Sequence, residues 1–206
     1  MKIIGIYGGS GTGKTTATKM LHKKIDNSLI ISLDPYMKKY WEKYKKEILN
    51  TLNVKENVDK MWHKYIVSSI DNVKKTMNII ESDMEKDIKI SIMEHQECDV
   101  IIIDWAFLPL IPSFSNCDFC ISINSDLEIR VKRLCARLEA NSRLQNWTKD
   151  ALLDRLNKSD LQKLGYTSKY SIQNNGTLEE LSHNLNEILQ NEHINYSVLS
   201  LAKLKK

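Results

Sequence analysis

The amino-acid sequence predicts an α/β fold, a five-stranded parallel sheet with helices on both faces, and three observations point to it. Short apolar, β-branched runs recur along the chain. The purest, Val100-Ile-Ile-Ile-Asp104, shows no polar alternation, as a strand buried on both faces requires. Stretches with helical spacing of apolar residues separate these runs. The first run ends in a glycine-rich loop that opens directly into a helical pattern. The 206 residues suit one α/β domain, and at 42% hydrophobic the chain can bury a core without disulfides or metal staples.

The first strand is expected at Lys2-Ile-Ile-Gly-Ile-Tyr7, stopping at glycines. Residues 14–24 read as a helix with Ala17, Met20, Leu21 and Ile25 on one face. Leu29-Ile-Ile-Ser-Leu33 is the second strand and ends at Asp34-Pro35, where Asp34 suits a helix N-cap and Pro35 the first helical position. From Tyr36 to about Leu52, Tyr36, Tyr40, Tyr44, Ile48 and Leu52 recur every four residues. Residues 57–95 continue as charged amphipathic helices, with Ile66, Ile70, Val73 and Met77 on one face. Residues 36–95 thus form a helical insertion between the second and third strands. Val100–Asp104 and Phe119–Ile123 are the next strands. Asp126–Ala140 is helical and carries Arg130, Arg133 and Arg137; a second helix runs from about Lys149 to Leu164, and residues 130–164 make up a lid region. Tyr170-Ser-Ile-Gln173 is a weak strand closed by Asn174-Asn175-Gly176. Thr177 with Glu180 three residues on reads as a capping box for a helix ending near Gln190. Residues 191–206 are a C-terminal extension in which Ile194–Leu201 reads as an added strand or a packed tail.

Composition narrows the function. The net charge of +4 is spread over helical segments, so nucleic acid is not expected as a ligand, and Lys203, Lys205 and Lys206 read as a solubilising tail. No apolar run approaches ~18 residues and no charged-then-apolar leader precedes the first strand, so a cytoplasmic protein that does not engage a membrane is expected. Cys117 and Cys120 form a lone C-x-x-C; with no second pair and no helix start beside them, they read as core residues of a strand. The five histidines fall in no ligand spacing, and nothing in the sequence specifies an oligomeric state.

The run Gly8-Gly9-Ser10-Gly11-Thr12-Gly13-Lys14-Thr15-Thr16 fulfils G-x-x-x-x-G-K-[ST], with a strand before it and a helix after it. Such a P-loop wraps a nucleoside triphosphate in backbone N–H groups and aims a helix N-terminus at the anion. Lys14 is expected to reach the β- and γ-phosphates, and Thr15 to hold Mg²⁺ through its hydroxyl. The pattern predicts a P-loop NTPase fold with ATP and Mg²⁺. Asp104, ending an apolar strand, is the second expected metal-side ligand. Asp34 ends the neighbouring strand; a carboxylate there can accept a proton from an acceptor hydroxyl, or simply cap the next helix. Arg133 and Arg137, one turn apart, and Arg143 beyond them, are candidate lid arginines for the charge of a transferring phosphoryl group, against the alternative of ordinary surface arginines. Asn157-Lys158-Ser159-Asp160 spells the guanine-reading motif of GTPases, but it lies in a helical pattern, and Asp104 is followed by Trp-Ala-Phe where a GTPase has D-x-x-G. The tyrosine stripe with Trp41 reads as helix packing or as the lining of an acceptor pocket.

These residues together resemble the dephospho-CoA kinases. The opening Ile3-to-Thr16 segment is similar to theirs, and Ser32-Leu-Asp34, Asp104-Trp-Ala-Phe-Leu108, Arg133-Leu-Cys-Ala-Arg137 and Asn174-Asn-Gly176 stand in the order and spacing of that family's motifs. The resemblance implies an adenylate-kinase-like fold and phosphorylation of the ribose 3′-hydroxyl of dephospho-CoA by ATP. It maps Asp34 to the catalytic base, Lys14 and Thr15 to phosphate and metal contacts, Arg137 to the lid arginine and Asn175-Gly176 to the ATP base. Ser32, Ala106 and Leu110 depart from the family pattern, and all three departures touch the acceptor side. Asp34-Pro-Tyr36 also resembles the Asp-x-Phe-Tyr of uridine and nucleoside kinases. A nucleotide-binding regulatory module without catalysis is the third reading; Asp34 beside an intact P-loop speaks against it.

Overall fold

The computed structural model describes residues 1–54, 65–140, 149–158 and 166–197. Its centre is a sheet of five parallel strands, β1 (Lys2–Tyr7), β2 (Ser28–Ser32), β3 (Val100–Asp104), β4 (Phe119–Asn124) and β5 (Tyr170–Gln173), ordered β2-β3-β1-β4-β5. Ile102 of β3 faces Ile4 on one side and Ile30 on the other, and Gly5 of β1 faces Cys120 of β4.

The pleat sorts β3 between two cores. Val100 and Ile102 enter a core formed with α1 (Lys14–Lys24) and the C-terminal helix, α6 (Leu178–Asn191). Ile101 and Ile103 enter a second core formed with α2 (Asp34–Thr51) and α3 (Ile70–Met93) on the opposite face. This is why β3 lacks alternation: both of its faces are covered. The remaining helices are α4 (Leu127–Ala140) and α5 (Lys149–Lys158). The Thr177–Glu180 capping box forms in both directions, at 3.2 and 3.0 Å.

The tyrosine stripe packs α2 against α3. Tyr40 is buried and its hydroxyl donates to Asp87 at 2.6 Å; that of Tyr44 donates to Asp83 at 2.7 Å. Lys39 pairs with Asp87 and Lys43 with Asp83, so the two helices run antiparallel. Hydrogen bonds from Lys43 and Tyr44 hold the Asp83 carboxyl down to about 2. Of the face Ile66, Ile70, Val73 and Met77, all are buried except Ile70, which is half-buried.

One reading needs correction, and one pair of alternatives is decided. Cys117 is not in a strand: β4 starts at Phe119, because Asp118 closes the sheet end with its side chain, accepting from the Ile3 N–H at 2.6 Å. Cys120 is buried, Cys117 half-buried, and both thiols are free. Of Ile194–Leu201, read as an added strand or a packed tail, residues 194–197 form the packed tail and the rest lie outside the described residues. Ile194 and Tyr196 pack on the α1/α6 core, and Ser197 N–H donates to the Lys24 carbonyl at 2.7 Å. Asn157 and Lys158 end α5, so the start of the N-K-x-D run is helical; Ser159, Asp160, Arg143, Lys203, Lys205 and Lys206 lie outside the described residues. Among the described residues, no helix is long and apolar enough to cross a membrane.

Candidate active site

Because all five strands are parallel, their carboxyl ends share one edge of the sheet, where ligands of such folds bind. Tyr7, Ser32, Asp104, Asn124 and Gln173 end there, and the segments that follow carry nearly every residue singled out by the sequence. The register sets their order. Ile6 and Ser32 both face Asp104; Trp105 N–H donates to the Ile6 carbonyl and Leu33 N–H to the Asp104 carbonyl, each at 3.1 Å. Asp104 is thereby flanked by the loop after β1 and by Asp34.

The loop Gly8–Gly13 needs glycine most at Gly11 and Gly13, with φ of 82° and 96°. A Cβ on Gly11 would lie 2.8 Å from the Arg130 carbonyl oxygen, and one on Gly13 would run into the Asn174 amide. Inside the loop, the Gly9 carbonyl accepts from the N–H and hydroxyl of Thr12 at 3.3 and 2.9 Å. Outside it, the Ser10 carbonyl accepts from Arg130 Nε at 3.0 Å and the Thr12 carbonyl from Asn174 Nδ2 at 2.7 Å. Among the described residues, the N–H groups of Gly11, Gly13, Lys14, Thr15 and Thr16 have no backbone acceptor. The first turn of α1 carries no acidic residue and no side-chain cap. Unpaired N–H groups at the positive end of a helix fit a phosphate chain. Gly13→Ala is expected to cost ~1–3 kcal/mol of stability and to weaken ATP binding; thermal melting with and without ATP checks both.

Lys14 pairs with the Asp104 carboxylate; the two side chains are only 13% and 7% exposed. Thr15 is exposed and Thr16 half-buried on the same first turn. A hydroxyl and a single carboxylate are hard oxygen donors, the set Mg²⁺ takes when phosphate oxygens and water complete its shell. Among the described residues, no cluster of three His, Cys, Asp or Glu gathers as a protein-only metal cage.

The structure corrects the capping role considered for Asp34. Leu33 is the N-cap of α2, Asp34 already has helical backbone, and no side-chain cap bond forms. Proline tolerates the first two helical positions alike, so Pro35 marks this boundary only to within a residue. Asp34 is exposed, and its carboxylate has no hydrogen bond or ion pair among the described residues. Tyr36 lines a cleft of about 340 Å³ with Lys39, Asp87, Ile90 and Glu94, between the start of α2 and the end of α3.

Arg133 reaches the phosphate loop through its backbone: Nη1 lies 3.4 Å from the carbonyls of Gly11 and Thr12 and from Ser125 Oγ. Arg137, one turn on, is exposed in the last turn of α4. Asn175 Oδ1 accepts from Ser125 Oγ at 3.0 Å and from Asp126 N–H at 2.9 Å, which ties the loop after β5 to the end of β4. Gly176 is exposed and packs against the carboxylate end of the exposed Glu180 side chain. Two residues that sequence reasoning did not select contact the loop most closely, Arg130 and Asn174, which are 2% and 7% exposed. The signal for Arg130 was its place at i, i+3, i+7 with Arg133 and Arg137.

No protein-family model matches the chain, and no curated protein matches it. Solved structures do resemble it. The TT1252 protein of Thermus thermophilus superposes with a TM-score of 0.67 at 18% identity, over 92% of this chain and 97% of that one. Shikimate kinase from Bacteroides thetaiotaomicron gives 0.57 at 15% identity, over 93% and 98%. Dephospho-CoA kinase from Campylobacter jejuni gives 0.53 at 16% identity, over 93% and 98%. At these identities the likeness speaks to architecture. The fold is the P-loop NTPase α/β fold.

Proposed function

We propose that this chain is an ATP- and Mg²⁺-dependent small-molecule kinase. The observation that carries the reading is the grouping at one sheet edge: a loop whose N–H groups lack backbone acceptors among the described residues, Lys14 and Asp104 in contact at its mouth, and Asp34 exposed at the adjacent strand end, its carboxylate without a hydrogen bond or ion pair among the described residues. Asp34 accepts the proton of the acceptor hydroxyl as that oxygen bonds to the γ-phosphorus. The bond from the γ-phosphorus to the β,γ-bridging oxygen breaks, and ADP leaves. The loop amides and Lys14 take up the phosphoryl charge, joined by Arg137 from the lid over residues 130–164, while Arg133 supports the loop from its carbonyl side. Thr15 and Asp104 would hold Mg²⁺, which neutralises phosphate charge when bound. With Lys14 engaged by phosphate, the Asp104 carboxylate would be available to a bound cation. We assign the ATP base to Asn175-Gly176, which follow the loop-contacting Asn174.

The acceptor we favour is dephospho-CoA, at its ribose 3′-hydroxyl, with the insertion 36–95 forming the acceptor side. The ordered set Asp34, Asp104, Arg133 and Arg137 behind the P-loop supports it. A nucleoside is the competing acceptor, supported by Asp34-Pro-Tyr36 and the half-buried place of Tyr36 beside Asp34. A coupled ADP-release assay over a dozen acceptors, paired with thermal shift, tests the choice. Dephospho-CoA at 100 times its Kd is expected to add ~2.7 kcal/mol of stability, and uridine or cytidine none. The reverse pattern would reassign the acceptor, and ADP release with none of them would remove the kinase reading.

A further inference from the structure

We propose that Arg130 is a positioning residue of the phosphate loop: from behind the loop it fixes the Ser10–Gly11 peptide so that the Gly11 N–H faces a bound triphosphate, while Asn174 does the same for the Gly13 N–H. The inference rests on the reading of the loop as a triphosphate site. A trans peptide is planar, and its C=O and N–H point in opposite directions. A donor that holds the carbonyl from one side therefore aims the N–H to the other. Arg130 Nε donates to the Ser10 carbonyl at 3.0 Å, and Asn174 Nδ2 to the Thr12 carbonyl at 2.7 Å. Those carbonyls share their peptide units with the Gly11 and Gly13 N–H groups, two of the amides without a backbone acceptor among the described residues.

Both donors are themselves held in place. Arg130 is 2% exposed, and its N–H donates to the Asp126 carbonyl at 3.0 Å at the start of α4. A Cβ on Gly9 would lie 2.5 Å from its Nη2, and one on Gly11 2.8 Å from its carbonyl oxygen, so helix and loop interlock only because neither position has a side chain. Asn174 is 7% exposed, and its N–H donates to the Asn124 carbonyl at 2.8 Å. The loop is thus braced at two outward carbonyls, Ser10 and Thr12, by elements more than a hundred residues away. A guanidinium at one brace also sets a permanent positive charge beneath the anion site.

The test is amide NMR on the ¹⁵N-labelled full chain, titrated with inorganic pyrophosphate. In the wild type, the Gly11 and Gly13 resonances should both move. In Arg130→Lys, which keeps the charge but not the planar Nε donor, the Gly11 response should be lost, the Gly13 response kept, and pyrophosphate affinity lowered about tenfold or more. Asn174→Ala should show the converse selectivity, which a general loosening of the fold would not. A Gly11 response and an affinity in Arg130→Lys equal to wild type would overturn the proposal. So would pyrophosphate binding to the wild type with Gly11 unmoved, a result that stands even if the variants fail to fold and that leaves the kinase reading intact. A wild-type chain that binds no pyrophosphate overturns both.

Discussion

Replacing Lys14 with alanine is expected to lower phosphoryl transfer about 10³-fold or more with every acceptor, on the scale seen when a preorganised cation is removed from a phosphoryl-transfer site. The loss should fall on kcat, because the loop amides that hold the ground-state phosphates remain, whereas the Nζ serves the charge that spreads in transfer. The same substitution has a second effect, separable from the first. The Asp104 side chain is 7% exposed and Lys14 is its ion-pair partner, so Lys14→Ala leaves a mostly buried carboxylate alone. Without nucleotide the variant should lose ~1–3 kcal/mol of stability, and adding Asp104→Asn should recover most of it. Thermal melts of the two single variants and the double variant measure that coupling; single-turnover kinetics measure the catalytic loss. Undiminished turnover in Lys14→Ala would show that this loop is not where phosphate is transferred.

The contrast between those two effects reflects what local sequence carries. The strands were legible because β-branched runs bounded by Gly, Asp and Asn have few other uses, and the P-loop because its glycines answer to local backbone geometry. The capping box at Thr177 was legible for the same reason: both of its hydrogen bonds span three residues. The Lys14–Asp104 pairing spans 90 residues and was foreseeable only as far as the parallel topology brings β1 and β3 together. The brace from Arg130 spans 120 residues and that from Asn174 spans 162; helical spacing groups Arg130 with Arg133 and Arg137 but names no partner for either brace. Arg130 sits in a helix of charged residues, where an arginine reads as solvated; only the docking of α4 behind Gly9 and Gly11 makes it buried. Leu33 taking the cap in place of Asp34 is a one-residue matter, yet it decides a functional question, because it leaves the carboxylate unspent.

That unspent carboxylate gives the second large effect. Asp34→Asn is expected to lower kcat by about 10²-fold or more while leaving ATP affinity near wild type, because the amide is isosteric but cannot accept the acceptor's proton. A structural contribution exists and is small. Asp34 lies in the first turn of α2, where a negative charge favours the helix by ~0.3–1 kcal/mol, and no cap hydrogen bond adds to it. Melting curves should therefore move little, and a hundredfold fall in turnover could not be assigned to unfolding. Comparing the two variants separates the roles: Lys14→Ala fails at phosphoryl transfer whatever the acceptor, while Asp34→Asn fails only at activating the acceptor hydroxyl and still draws full stabilisation from ATP. If Asp34→Asn turned over at the wild-type rate, the base would lie elsewhere. If the wild type bound ATP but phosphorylated nothing across the acceptor panel, Asp34 would have no proton to take, and the chain would be a nucleotide-binding module that keeps the fold of a kinase without its chemistry.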